Sequence, residues 1–82
     1  MKISEEIKKD LVLLGLHIKN LREERNLSIN ELAKKAGLRA QYLKKIEQGI
    51  AYGVLLDKHL VKIAFALDIK MSVLFSFEKA SQ

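Results

Sequence analysis

A chain of 82 residues with no cysteine and a formal charge of +5 fits one domain and excludes disulfides and thiolate metal sites, as in a reducing cytoplasm. No stretch supplies the ~18 uninterrupted apolar residues of a membrane span, and the opening "MKISEEIKKD", with Glu5, Glu6 and Asp10, lacks a signal-peptide layout. Proline is absent and Leu, Ile, Ala, Lys and Glu dominate, which is an all-helical composition, and a chain this short buries only about three-fifths of its unfolded surface, so it needs a compact topology or a partner subunit.

The first helical pattern runs from about Ser4 to Arg25. Ser4 is placed to cap it, and Glu5 and Glu6 suit the positive end of the helix dipole. Ile7, Leu11, Leu14, Ile18 and Leu21 recur at three- and four-residue steps and form one apolar stripe. Gly15 interrupts that stripe at a cost of about 1 kcal/mol relative to alanine. The pattern therefore reads as one bent or continuous helix, or as two helices meeting near Leu14. Asn26 is a stop. "SINE", Ser28 to Glu31, then matches a capping box, opening a second helix that runs to about Ala36 and buries Ile29, Leu32, Ala33 and Ala36. Gly37 closes it, because glycine tolerates the left-handed conformation of a helix end.

Leu38 is an apolar plug at the turn. A third helix spans about Ala40 to Gln48, with Leu43 and Ile46 inward and Tyr42 at the margin, and Gly49 ends it. The loop "GIAYGVLL" follows. A fourth helix covers about Leu56 to Leu67, with Leu56, Leu60, Ile63, Ala64 and Leu67 on one face, and a short last helix covers about Met71 to Phe77. The expected fold is all-α, a compact bundle of five helices round one core.

Charge is uneven along this plan. Residues 34–48 hold five cations, Lys34, Lys35, Arg39, Lys44 and Lys45, against the single carboxylate of Glu47, a net +4. Such a patch reads either as a surface for a polyanion or as an ordinary solvated helix face. The two helices around Gly37 sharpen the choice. Each is barely two turns and would not stand alone in water. A short glycine turn sets them at a steep angle, so that one braces and the other protrudes. A protruding short helix fits the DNA major groove, which is about 12 Å wide.

The words "LGLHIKNLREERNLS", "ELAKKAGL", "YLKKIEQG" and "LVKIAFALDIKMSVLF", in this order and spacing, resemble the phage repressor and Cro type of helix-turn-helix, the XRE family. The resemblance covers about Leu14 to Phe75. It implies a lambda-repressor-like fold with the helix-turn-helix at about 28–48, in a single domain over 1–82 made of an N-terminal helical extension (about 1–13) and a family-like core (about 14–77). It implies double-stranded DNA as the partner and no cofactor. It also implies a buried ion pair between Arg22 and Glu47, which explains one acid in an otherwise basic helix. Base contacts fall on Ala40, Gln41, Lys44 and Lys45: glutamine suits adenine, lysine suits guanine, and alanine meets a thymine methyl. Lys34, Lys35, Arg39 and Tyr52 fall beside phosphates, as Lys44 also does in the alternative.

Two positions and one loop depart from the family pattern. Ile29 stands where many members carry a phosphate-clamping glutamine. Arg39 stands where a small hydroxyl cap is usual. The loop from Gly49 to Leu56 is apolar and about two residues longer than the polar, basic, proline-containing loop usual in the family. The remaining candidates are weak: His17 and His59 lack a second ligand at metal spacing, and no Ser–His–Asp grouping or glycine-rich phosphate loop appears, so no enzyme and no metal site is expected. "MSVLFSFEKA" is richer in large apolar residues than a small closed bundle needs. Part of Val73, Leu74, Phe75 and Phe77 is expected in the core, and the rest, with Ile50 and Leu55, in an exposed patch that makes a two-fold homodimer. The functional expectation is a cytoplasmic, sequence-specific transcriptional regulator, a repressor or autoregulator. The rival reading is an antitoxin-like module that holds a protein partner as well as DNA.

Overall fold

The computed structural model describes residues 4–52 and 56–77. Five α-helices follow in chain order: α1 (Glu5–Glu24), α2 (Ile29–Ala36), α3 (Ala40–Glu47), α4 (Leu56–Leu67) and α5 (Met71–Leu74). The helix starts follow local chemistry. The Ser4 hydroxyl accepts from the Ile7 amide at 3.2 Å. Ser28 and Glu31 exchange both bonds of a capping box: the Ser28 amide donates to Glu31 Oε1 at 2.8 Å and the Glu31 amide to Ser28 Oγ at 3.0 Å. The Ser28 amide that donates to the carboxylate, and after it the Ser28 hydroxyl beside it, hold the Glu31 carboxyl below the usual glutamate range.

The helix ends share one device. Asn26, Gly37, Gly49 and Asp68 all have positive φ, and each follows one of the first four helices. At each end two successive amides turn back into the last turn. Asn26 and Leu27 donate to Glu23 and Arg22; Gly37 and Leu38 to Lys34 and Ala33; Gly49 and Ile50 to Ile46 and Lys45; Asp68 and Ile69 to Phe65 and Ala64. This is the Schellman arrangement, which satisfies carbonyls the helix leaves unpaired and points the following apolar residue back at the core. Leu27, Leu38 and Ile69 are partly buried on that account.

The core gathers Leu14, Ile18 and Leu21 from α1, Leu32, Ala33 and Ala36 from α2, Leu43 and Ile46 from α3, Leu60, Ile63, Ala64 and Leu67 from α4, and Leu74 from α5. α2 packs between α3 and α4, while α1 lies along α3 and touches α5. The stripe on α1 is continuous, as its periodicity predicts, but its first turns overhang: Ile7 remains 51 % exposed, because among the described residues no other helix reaches that far along a helix of 20 residues.

Gly15 is the close-approach point. A Cβ there would meet the carbonyls of Ile46 and Glu47, the latter's oxygen at 2.5 Å and carbon at 2.7 Å. Gly49 presses equally against Val12, whose Cα would lie 2.5 Å from an added Cβ. The two glycines let α1 sit directly on the end of α3. The Gly15 that reads as a weak spot in a helix is thus an inter-helix contact.

α5 is shorter than the expected Met71 to Phe77. The carbonyl of Val73 takes His17 Nε2 at 2.9 Å and the Ser76 hydroxyl at 2.7 Å. The Ser76 amide also turns back to this carbonyl at 3.2 Å, so the Val73 oxygen closes the helix at Phe75 in place of a further α-helical bond.

Candidate nucleic-acid interface

α3 is positioned by its own buried side. Leu43 and Ile46 lie in the core, and Glu47 meets Arg22 of α1 in a two-pronged contact: Nε to Oε2 at 2.7 Å and one terminal nitrogen to Oε1 at 3.0 Å. The other terminal nitrogen of Arg22 donates to the Leu27 carbonyl at 2.8 Å. The two side chains are only 10 % and 5 % exposed, and the bonds to Glu47 raise the arginine pKa against the opposing effect of burial. One ion pair therefore fixes the end of α3, the body of α1 and the turn between α1 and α2. Arg25 adds a second brace, from Nε to the Leu67 carbonyl at 3.2 Å and from a terminal nitrogen to the Leu21 carbonyl at 3.0 Å. Together these join the ends of α1 and α4.

With one side of α3 so anchored, the opposite side faces solvent. Gln41, Lys44 and Lys45 are exposed, and their spacing puts them on one face at 100° per residue. Gln48, exposed at the end of the helix, continues that face; its i+4 relation to Lys44 is the sequence signal that places it there. Ala40 is partly buried and packs against the core, which leaves less of its methyl for a base than the sequence suggests. Arg39 caps α3 without a side-chain bond, so its exposed guanidinium is uncommitted among the described residues. Lys34 and Lys35 are exposed on the last turn of α2, and Tyr52 is exposed in the loop after α3. Ile29 is half-buried and offers no polar group at the start of α2.

The tail residues separate. Leu74 is fully buried, so it belongs to the core and not to a surface patch. Val73 and Phe75 are 39 % and 46 % exposed, and Phe77 is half-buried, with its ring 6.2 Å from that of His17. Ile50 is exposed, although it follows the same kind of helix end that turns Leu27, Leu38 and Ile69 inward; Leu55 lies outside the described residues. Sequence periodicity also passed over the outer face of α4, where Val61 is exposed and Phe65 is 86 % exposed.

The two histidines acquire partners that spacing did not reveal. His17 holds the Val73 carbonyl. His59 Nδ1 lies 2.8 Å from the Tyr42 hydroxyl, with the rings edge-to-face at 4.7 Å. Burial raises the Tyr42 pKa. Among the described residues no helix is long and apolar enough to cross a membrane.

Residues 18–74 match the helix-turn-helix family model HTH_3. Two HTH-type transcriptional regulators named SinR are similar in sequence. The protein of Bacillus licheniformis is 33 % identical over 64 residues, covering 78 % of this chain and 57 % of that protein. That of Bacillus subtilis (strain 168) is 34 % identical over 62 residues, covering 76 % and 55 %. The chain thus spans little more than half the length of these relatives. Among solved structures, the restriction-modification controller protein C.AhdI from Aeromonas hydrophila superposes with a TM-score of 0.72 at 35 % identity, covering 79 % of this chain and 96 % of that one. The clp gene regulator ClgR from C. glutamicum shares the fold, with a TM-score of 0.73 at 20 % identity over 80 % of this chain and 82 % of that one.

Proposed function

Because the chain belongs to the XRE-type helix-turn-helix family, we propose that it regulates transcription by binding double-stranded DNA with α3 in the major groove. The observation that carries this reading is the two-sided character of α3. One side is locked into the core by Leu43, Ile46 and the Arg22–Glu47 pair, and the other presents Gln41, Lys44 and Lys45 to solvent. Gln41 has the paired donor and acceptor that match adenine, and Lys45 donates to guanine. Ala40 adds an apolar contact at the start of the helix. Arg39, Lys34, Lys35 and Tyr52 flank this face and contact phosphates, which adds affinity that falls with salt but carries no sequence information. The regulator names carried by SinR and C.AhdI support the same role here.

The finer reading is a cytoplasmic homodimer that represses, and regulates its own synthesis, from a near-palindromic operator. Val73, Phe75 and Phe77 supply an apolar surface for the two-fold contact, and Leu74 supports it from beneath. Two copies of α3 would then lie one DNA turn apart, about 34 Å. Selection of binding sites from randomised duplex DNA at about 150 mM salt, near physiological ionic strength, tests this. A two-fold-symmetric motif supports the dimer, a single asymmetric half-site removes it, and no enrichment removes base-specific binding altogether.

A second reading, an antitoxin-like module that also holds a partner protein, draws on the exposed Ile50 and Phe65. Mild purification from the native host distinguishes it: a stoichiometric partner that Phe65→Ser or Ile50→Ser releases supports it, and an unaccompanied dimer counts against it.

A further inference from the structure

α3 is held unevenly along its length. Its C-terminal turn has the Arg22–Glu47 pair, buried Ile46 and the backbone contact with Gly15. Its first turn, which carries Gln41, is anchored on the inner side by the fully buried Leu43, but its N-terminal end has fewer ties. Arg39 gives no cap bond, and Ala40 is only partly buried. Among the described residues one side-chain hydrogen bond leaves this turn, that from Tyr42 to His59 Nδ1 at 2.8 Å. The two rings meet edge-to-face, with an interplanar angle of 76°, so the contact fixes direction as well as distance. His59 stands on the opening turns of α4, a helix whose other face is set in the core by Leu60 and Ile63. It thus ties the N-terminal end of α3, beside the buried Leu43, to the core-anchored α4.

We propose that His59 is a positioning residue for base readout. Through the Tyr42 hydroxyl it sets the tilt and rotation of the first turn of α3, and with them the aim of the neighbouring Gln41. The inference rests on the DNA-reading role of α3 proposed above. Its physical basis is the narrow geometry of a base contact: N–H···O bonds work at about 2.7–3.2 Å and weaken steeply off line. A small rotation of a two-turn helix therefore forfeits a base contact, while a flexible lysine follows its phosphate. The tie does not depend on the charge of the imidazole. A hydroxyl both donates and accepts, so Tyr42 donates to bare Nδ1 and accepts from protonated Nδ1.

The test compares the full-length chain with Tyr42→Phe, His59→Phe and His59→Asn, using two readouts. The first needs no DNA: hydrogen exchange of the Leu43 amide, which bonds the Arg39 carbonyl at 3.0 Å, relative to the Ile63 amide of α4. The second is the ratio of affinities for the best duplex from site selection and for a scrambled duplex of the same composition. Both phenylalanine variants are expected to speed Leu43 exchange relative to Ile63 by about three- to tenfold, the range of one lost hydrogen bond, and to lower the affinity ratio by a similar factor. Affinity for the scrambled duplex and its salt dependence should hold. His59→Asn, whose amide reaches the place of Nδ1, should restore much of both. Unchanged relative exchange of Leu43 overturns the positioning role whatever the DNA shows. Equal losses on both duplexes, with Leu43 and Ile63 exchange rising together, reduce the pair to a general structural contact and overturn it too. A native chain that does not distinguish the duplexes overturns the DNA-reading role itself, while the exchange data still report on the tie.

Discussion

Gly15→Ala sets two effects of opposite sign against each other. On helix propensity alone the change stabilises α1 by about 1 kcal/mol. In the folded protein the new methyl would meet the backbone of α3, with the Glu47 carbonyl oxygen 2.5 Å and its carbon 2.7 Å away. Neither neighbour is a flexible side chain, so α1 and α3 must separate by several tenths of an ångström. Overpacking of this kind costs typically about 1–3 kcal/mol, and more where the neighbour cannot relax. Relaxation here also pulls on Glu47, whose carboxylate is held by Arg22 at 2.7 Å and 3.0 Å. The upper part of the range therefore applies. After the propensity gain is subtracted, the net loss is about 1–2 kcal/mol, or a fall in Tm of roughly 4–16 °C for a domain of this size. Thermal and urea unfolding followed by circular dichroism at 222 nm would measure it. A Gly15→Ala chain that is as stable as the parent, or more so, refutes the close-contact reasoning and returns Gly15 to an ordinary helix defect.

Removing one partner of the buried ion pair, as in Arg22→Ala, is expected to cost about 3–5 kcal/mol, whereas the joint change Arg22→Met with Glu47→Leu should cost less than either single change; a urea-based double-mutant cycle decides. Gln41→Ala should relax preference at one base position by about 1–3 kcal/mol and leave the salt dependence alone, while Lys34→Ala should weaken binding to all duplexes and shallow the salt slope by about one unit; competition binding at several salt concentrations separates the two. Glu31 gives a pH dependence of defined sign. Its folded pKa is lowered by the Ser28 amide, so its contribution is present above the ordinary glutamate value and is lost as pH falls through the lowered one. The melting difference between the parent and Glu31→Ala should therefore be largest at neutral pH and shrink in acid; a difference constant with pH would refute the charged cap.

Much of this protein is legible in the sequence because its governing interactions are local. Ser4, the Ser28–Glu31 box and Gly37 mark helix ends through bonds that span three to five residues. The stripe Leu14, Ile18, Leu21 and the sets on α2 and α4 follow from helical period alone. The exposed face of α3 is legible too, since Leu43 and Ile46 claim one side and Gln41, Lys44 and Lys45 are left the other. The end of the last helix is only partly legible: Ser76 bonds the Val73 carbonyl from three residues away, but His17, 56 positions earlier in the chain, takes the same carbonyl.

What the sequence determined by itself was helix placement, the apolar stripes and the chemistry carried by α3. These depend on the order of residues within one or two turns. Only the tertiary structure decided what crosses between helices. It turned Gly15 from a helix breaker into the seat of α3. It sent Leu74 to the core and left Phe65 in water. It also joined His59 to Tyr42, 17 positions apart. The physical reason is that periodicity tells which face of a helix is apolar, whereas contact, clash and hydrogen bonding depend on which other helix is packed there and how closely.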